Sequence, residues 1–430
     1  MRRFVLLLGV ALFTVTTPAV AQNCDGFVDV LASSPFCPDV TWMKTYGVTK
    51  GCDATHYCPT DNVSRLQMAA FMHRLGDNAF LQGGNAFGTN AVLGPTDNQP
   101  LDLQSNGFWI FTLAVVSNAN YGLATNVVGG VPNNNAVGVV GATIAGGGCI
   151  AGAACTGSHP NAVKADFGTI GGGYDNTAWN LATVGGGVQN TASGAESTVG
   201  GGLRNMASSV NDTVSGGNNN TASGGASTVC GGEGNNASGI ESTVAGGRLN
   251  TAGGLDSFAA GFRANAASTG CFVWSDASVG NPTDCGVANA FVARATGGFY
   301  LITGGTYPAY TGALLNAGST SWTTFSDRNG KDHIVPVDPQ EVLSKVAALP
   351  IATWNWKSQD AAIRHMGPMA QDFAAAFGLG ETPRGINTVD SEGVALAAIK
   401  GLYEQLQLKD RELAALREEL DAIKAALDLR

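Results

Sequence analysis

The chain has 430 residues, of which 60 are glycine and only 13% are charged, and its formal net charge is −10. This glycine content is unusual for a compact enzyme and typical of a repetitive β structure. The negative charge argues against nucleic acid or an anionic membrane as a partner, because both would repel the chain.

Residues 1–21 have the pattern of a secretory signal peptide. Two arginines precede an apolar run that ends in Ala19-Val20-Ala21, the small-x-small pattern that a signal peptidase cleaves, so the mature chain is expected to start at Gln22. No later apolar run is long enough for a membrane helix. We therefore expect a secreted or cell-surface protein without membrane insertion, built from several modules because the composition changes along the chain.

The nine cysteines of an exported chain are expected to be oxidised. Proximity in the sequence suggests four disulfides, Cys24 with Cys37, Cys52 with Cys58, Cys149 with Cys155 and Cys271 with Cys285. Cys52, His56 and Cys58 could instead be read as metal ligands, but no fourth ligand stands at the usual spacing, so neither a metal nor a cofactor is expected. Cys230 remains unpaired.

Residues 22–78 have the order of one S-layer homology module: Phe27-Val28-Asp29-Val30, then Trp42, then Tyr46-Gly47-Val48, then Val63-Ser64-Arg65-Leu66-Gln67. Ser64 is placed to cap a helix with Met68, Phe71, Met72 and Leu75 on one face. The resemblance implies binding of a cell-wall polysaccharide at Ser64 and Arg65, where that family carries a Thr-Arg-type motif. A lone copy lacks the avidity of tandem modules, so a disulfide-stapled cap without a polymer ligand remains an alternative.

Residues 79–165 are rich in Asn and Gly, and short apolar runs such as residues 108–116 predict strands joined by tight turns. No catalytic cluster is evident in this region. Residues 271–325 are predicted to be a β connector.

Residues 166–270 repeat with a period of 14 once and 15 afterwards, which predicts a solenoid with one β unit per repeat. Glycines are expected at the corners, and the recurring Asn is expected either in left-handed turns or in a hydrogen-bonded ladder. The repeats resemble the β-roll head of trimeric autotransporter adhesins, which implies a left-handed-type roll and three rolls around one axis. The apolar column is Ile170, Val184, Val199, Val214, Val229 and Val244; the Asn column is Asn176, Asn190, Asn205, Asn220, Asn235, Asn250 and Asn265; the Ala column is Ala178, Ala192, Ala207, Ala222, Ala237, Ala252 and Ala267.

Cys230 follows Val229, at a position where the other repeats have small residues such as Gly200 or Ala245. This crowded register predicts a cysteine that packs inward or against a partner chain, in the role of a slightly larger alanine.

The predicted domain of residues 326–393 begins with Ser326-Asp327-Arg328-Asn329-Gly330-Lys331 and contains the block HMGPMAQDF, and the block VDSEGVALAAIKGLYEQL continues from its end into the final helix. These motifs resemble the intramolecular chaperone domain that ends phage endosialidases and many tail fibres. The resemblance implies that Ser326 is a nucleophile, that Lys331 is its base, and that the chain cuts itself once at Phe325-Ser326. A lysine can serve as the base only if burial lowers its pKa from ~10.4. Gly330 departs from the family, where a larger apolar residue often stands.

Residues 394–430 are predicted to be a coiled-coil helix because core positions alternate three and four apart. Packing rules leave dimer and trimer open, and the resemblance favours three chains. A helix folded back on its own domain is the alternative. The core positions are Ile399, Leu402, Leu406, Lys409, Leu413, Leu416, Leu420, Ile423 and Leu427.

Together these features predict a mainly β fold: a β-roll fibre with a small N-terminal helical module and a C-terminal α+β domain that ends in a coiled coil. The expected function is a secreted or cell-surface homotrimeric fibre, structural or adhesin-like, with no multi-turnover activity. Its expected partners are its own copies and a cell-wall or host-surface polysaccharide. Two alternatives remain, a phage-derived tail-fibre-like protein and a secreted carbohydrate-binding fibre that is not cleaved.

Overall fold

A computed structural model describes residues 23–77, 93–95, 97–150, 155–306 and 309–427. The predicted signal peptide lies outside these residues. The chain divides into two compact units, Met1–Pro95 and Thr96–Arg430. Within the described part of the chain, none of the helices has the length and hydropathy that a membrane span requires.

Over residues 23–77, the first unit is a small module of two strands and two helices. The strands β1 (Asn23–Cys24) and β2 (Phe27–Leu31) pair antiparallel, and the helices are α1 (Cys37–Thr45) and α2 (Arg65–Asp77). Its small core contains Cys24, Phe27, Val30 and Val40.

The second unit begins with three antiparallel strands, β3 (Leu101–Ser105), β4 (Phe108–Asn118) and β5 (Gly122–Gly129), and continues as a β-solenoid of about 11 turns. Most solenoid strands are only two residues long. Strands β6 to β24 are, in chain order, Thr143–Ile144, Ala162–Val163, Thr169–Ile170, Thr177–Ala178, Thr183–Val184, Thr191–Ala192, Thr198–Val199, Met206–Ala207, Thr213–Val214, Thr221–Ala222, Thr228–Val229, Asn236–Ala237, Thr243–Arg248, Thr251–Ala252, Phe258–Phe262, Ala264–Ala266, Phe272–Ser275, Thr283–Cys285 and Phe291–Arg294.

The solenoid consists of two parallel sheets. Even-numbered strands β6 to β24 form one sheet, extended at its β6 end by β5, β4 and β3, and odd-numbered strands β7 to β23 form the other. The roll therefore extends beyond the predicted repeat region on both sides. Its outer turns vary in length, so the strict period is lost from the sequence although the strands still stack.

The interior is built from columns of identical residues. The predicted apolar column is confirmed, because Ile170 and the five valines from Val184 to Val244 are all fully buried. The alanines from Ala178 to Ala252 fill the facing column and are also fully buried. Burying one valine side chain contributes roughly 1.5–3 kcal/mol, so stability accumulates turn by turn.

The recurring asparagines form a buried hydrogen-bonded ladder. In one rung, Asn220 Nδ2 donates to the carbonyls of Gly216 and Gly232, both at 2.9 Å, and Asn220 Oδ1 accepts from the Asn235 N–H at 3.0 Å. The ladder begins earlier than the sequence pattern showed, since Asn161 N–H donates to Asn134 Oδ1. The left-handed turn positions fall instead on other residues and on glycines.

The predicted end of the Asn and Ala columns is wrong by one residue. Ala264, not Asn265, follows Asn250 in the ladder, because the Ala264 N–H donates to Asn250 Oδ1 at 2.9 Å. Ala266 then occupies the buried position, and Ala267 is exposed. The reason is that this turn has 14 residues, as the pairing of Ala252 with Ala266 shows.

Glycine is required where the chain turns away from the valine strand. Gly217 has a φ of +95°, and a Cβ atom there would lie 2.3 Å from the Gly232 carbonyl oxygen of the next turn. Both the left-handed backbone and the close stacking therefore exclude a side chain, as predicted for the corners.

Replacing Asn220 with alanine is expected to lower the free energy of unfolding by about 3 kcal/mol, because three hydrogen bonds are lost and two carbonyls lose a donor from the buried ladder. Chemical denaturation of purified protein measures this. Asn218→Ala is the matched control, since that asparagine makes no side-chain hydrogen bond within the described residues and should change stability little. Equal stability of the two variants would contradict the ladder.

The inward position predicted for Cys230 is wrong. The Cys230 side chain is exposed on the roll, because it follows the inward-facing Val229 and side chains alternate along a strand. Packing against a partner chain remains a prediction.

The C-terminal part contains an antiparallel sheet of β25 (Gly298–Thr306), β26 (Ala309–Asn316) and β27 (Thr323–Thr324). It is followed by α3 (Pro339–Ala348), a pair of strands β28 (Ala352–Trp354) and β29 (His365–Gly367), α4 (Ala370–Phe377) and α5 (Thr388–Ala426). Helix α5 begins earlier than predicted because the Asn387 side chain accepts a hydrogen bond from the Val389 N–H and caps it.

Candidate active site

The candidate self-cleavage site directly follows β27. This short strand is held by β26 through the pairs Leu314 with Thr323 and Ala313 with Thr324. The chain then passes through Phe325 to Ser326, so the bond before Ser326 lies just beyond an anchored strand.

A tight turn brings the lysine back toward the serine. Asp327 Oδ1 accepts from the Asn329 N–H at 2.9 Å and caps a 3-10 helix over Arg328–Gly330. The Lys331 N–H donates to the Arg328 carbonyl at 3.2 Å and closes the turn. Asp favours this conformation because its short side chain bonds the backbone two residues later.

The turn places Lys331 Nζ 2.6 Å from Ser326 Oγ, with the amine donating. This is the distance expected between a nucleophile and its base. Both side chains are exposed in the single chain. A neutral amine would be needed for proton removal, and the surroundings of Lys331 in one chain do not supply the required burial.

Gly330 contributes to this exposure. A Cβ atom at Gly330 would meet no atom within 4 Å, so the turn has room for the larger apolar residue that is common in the family. Because position 330 has no side chain, one side of the turn is uncovered.

The other motif blocks build the domain around α5. In the HMGPMAQDF block, His365 lies on β29, where its Nε2 is 2.9 Å from Gln359 Oε1, and Phe373 is buried on α4. Helix α3 contacts α5 closely at Gly401, where an added Cβ would lie 2.3 Å from the Pro339 carbonyl oxygen.

Gln340 reinforces the contact between α3 and α5. Its Nε2 donates to the Gly401 carbonyl at 2.8 Å and to Glu404 Oε2 at 3.2 Å. Gln340 lies outside the sequence motifs that pointed to this domain. The Asp338-Pro339 helix start just before it was the available signal.

The predicted core positions of α5 lie on a different face from this contact. Val394, Ala398 and Gly401 are buried on the side toward α3. From Ile399 to Leu427 the leucines and isoleucines of the predicted heptads are each 46% to 63% exposed. Helix α5 therefore does not pack against its own domain along these residues. Within the described chain, its apolar stripe is left uncovered.

In the N-terminal module, Ser64 has a structural role. The Gln67 N–H donates to Ser64 Oγ at 3.2 Å, and the Ser64 N–H donates to Gln67 Oε1 at 2.7 Å. This reciprocal pair is a capping box that starts α2, so the predicted cap is confirmed. Arg65 is exposed, and polymer binding at Ser64 and Arg65 stays a prediction.

The cysteines are joined in the structure as Cys24–Cys37, Cys52–Cys58, Cys149–Cys155 and Cys271–Cys285. The sulfurs of Cys52 and Cys58 are thus bonded to each other, and His56 faces Asp53 instead, with its Nδ1 3.0 Å from the carboxylate. Hydrogen bonds from the Thr55 N–H and the His56 ring lower the pKa of Asp53 to about 2.

Part of the chain matches the model of a known protein family. A search of curated proteins found no similar one. Residues 326–378 match the family model described as "Chaperone of endosialidase". The match begins at Ser326 itself, the residue that the turn brings to Lys331, so the C-terminal domain of this β-solenoid chain is similar to the chaperone-of-endosialidase family.

Proposed function

We propose that the protein is a secreted or cell-surface homotrimeric fibre whose C-terminal domain guides trimer assembly and then cuts the chain at Phe325-Ser326. The observation that carries this proposal is the 2.6 Å contact between Lys331 Nζ and Ser326 Oγ at the start of the family match. The solenoid supplies the fibre, and export rests on the sequence of residues 1–21.

The proposed chemistry uses only this chain's own atoms. Lys331 in its neutral form removes the proton from Ser326 Oγ, which attacks the carbonyl carbon of Phe325. As the new C–O bond forms and the C–N bond breaks, the Ser326 nitrogen takes up the proton and becomes a free amine. Water then hydrolyses the ester, which leaves a Phe325 carboxylate and restores the serine hydroxyl.

The trimer is supported by the uncovered stripe on α5. Leu406, Leu413 and Leu420 lie along one side of the helix and are about half exposed, whereas soluble proteins seldom leave so long an apolar surface open. Three parallel helices would bury these stripes against each other, and the same assembly would bring other chains toward Lys331.

Mass spectrometry of the secreted protein tests the cleavage. We expect two species, one that ends at Phe325 and one that begins at Ser326. A single full-length species from a soluble trimer would contradict the proposed cleavage and favour the uncleaved fibre.

A further inference from the structure

Each turn of the solenoid bends twice, and the two bends form opposite edges of the roll. The bend that leads from an odd to an even strand carries Val210, Ile240 and Leu255 beside Glu196, Glu241 and Asp256, and we call it the acidic edge. The bend that leads from an even to an odd strand carries Leu203, Arg204, Arg248, Leu249 and Arg263, and we call it the arginine edge.

Both edges expose apolar side chains. On the acidic edge, Val210 is 55% exposed and Ile240 is 57% exposed. On the arginine edge, Leu203 and Leu249 are 37% and 43% exposed. Each edge therefore offers exposed apolar side chains to a partner, and on the arginine edge they alternate along the stack with polar and charged residues.

The charges on the two edges are opposite and unpaired. Glu196, Glu241 and Asp256 make no ion pair within the described residues, and the acidic edge has no Lys or Arg over its bends from residue 180 to residue 256. Arg204 and Arg248 also lack an acidic partner there. Arg204 Nε donates to Gln189 Oε1 at 2.9 Å, and Arg248 lies 4.8 Å from the centre of the Phe262 ring.

The charges also match in height along the roll. Each acid stands seven or eight positions, or half a turn, before an arginine: Glu196 before Arg204, Glu241 before Arg248, and Asp256 before Arg263. Adjacent turns are ~4.7–4.9 Å apart, so half a turn separates these levels by only a few ångströms.

The arginine edge also carries two acids, and Glu233 lies in register beside Arg248 of the next turn. Glu233 stands at the height of Ala226 on the acidic edge, where there is no acid to face it. Asp175 lies 3.5 Å from His159 of its own chain. In a parallel assembly without axial shift, opposite charges would therefore face each other.

A ring of three identical chains needs two different, complementary patches on each chain, because the contact between neighbours is head-to-tail. We propose that the acidic edge of one protomer packs against the arginine edge of the next copy, all around the trimer. This inference rests on the trimer of the proposed function and adds which surfaces meet. The exposed apolar side chains of both edges supply the affinity, and the charges select which edge faces which, since exposed ion pairs alone stabilise little.

Cross-linking tests this arrangement. The full chain with Ile240→Cys and Leu249→Cys, in a Cys230→Ser background, is treated with a short bis-maleimide and separated on a denaturing gel. Because each protomer would be joined to both neighbours, we expect covalent trimers from the double variant and monomers from either single variant.

The outcomes separate the two proposals. A trimer by light scattering that gives no covalent trimer overturns the edge contact and leaves the fibre proposal standing. Covalent dimers from Ile240→Cys alone would also overturn it, because they require two acidic edges in contact. A monomeric protein would reject both.

Charge reversal provides the second test. Glu196→Arg with Glu241→Arg, or Arg204→Glu with Arg248→Glu, should each lower the yield of cross-linked trimer at least about tenfold, because like charges then face each other. Combining all four substitutions should restore the yield. If the combined variant stays as low as either pair, the proposed charge matching is wrong.

Discussion

The Ser326→Ala variant is expected to remain full length, with no detectable fragment that begins at residue 326. Alanine removes the hydroxyl that Lys331 contacts, so the proposed attack on the Phe325 carbonyl cannot start. The serine is exposed and not part of the core, so the fold should persist. Intact-mass measurement of the secreted protein gives the result.

Lys331 is tested by two substitutions with the same expected outcome. Lys331→Ala removes the base, and Lys331→Arg keeps a positive charge and a hydrogen-bond donor but cannot lose its proton at ordinary pH. Both should leave the chain uncut. If Lys331→Arg were cleaved at the normal rate, the lysine would be positioning the serine and not accepting its proton.

Two nearby residues serve as controls for the dyad. Ser321→Ala removes a hydroxyl five residues before Ser326, and Lys357→Ala removes another exposed lysine of the same domain. Both variants should be cut like the unchanged protein. Continued cleavage in Ser326→Ala would refute the mechanism.

Replacing Leu413 and Leu416 together with aspartate is expected to abolish the trimer. The two side chains are 46% and 60% exposed and belong to the uncovered stripe of α5, so a single folded chain should tolerate the change. In a coiled coil, however, carboxylates from three chains would be buried together without partners, which is prohibitive. Light scattering should then report monomers or aggregates.

The matched control is Ala414→Asp with Ala415→Asp on the same helical turn. These positions lie off the stripe and should leave the trimer intact. A trimer that survives the leucine substitutions would contradict the coiled coil. The intact protein should be trimeric in the same measurement, and a stable soluble monomer would end the proposal.

Local sequence signals predicted much of this protein. The period of the valine and alanine columns identified the solenoid, because a rung that stacks on an identical rung must repeat its inward residues. Ser64 was recognised as a helix cap from the residues around it, and capping is a contact between close neighbours in sequence. The turn from Ser326 to Lys331 is local for the same reason.

Features that depend on distant contacts were missed or misplaced. The error of one residue at Asn265 arose because this turn of the roll has 14 residues, which places Ala264 and not Asn265 in the ladder. Cys230 was predicted to face inward because the residues at the same register of the other repeats are small. Its side chain faces outward instead, because side chains alternate along a strand and the neighbouring Val229 faces inward. Small residues occur on both the inward and the outward face of the roll, so residue size alone could not predict the direction of the Cys230 side chain.

The amino-acid sequence by itself thus determined the class of structure, the repeating columns and the six-residue turn that holds the Ser-Lys pair, because each depends on neighbours or on a fixed period. Only the tertiary structure decided that α3 covers one face of α5 at Gly401 and that the heptad stripe is left open. It also separated the acids and arginines of the repeats onto opposite edges. These outcomes depend on how the chain folds back on itself, which brings together residues that no sequence window contains.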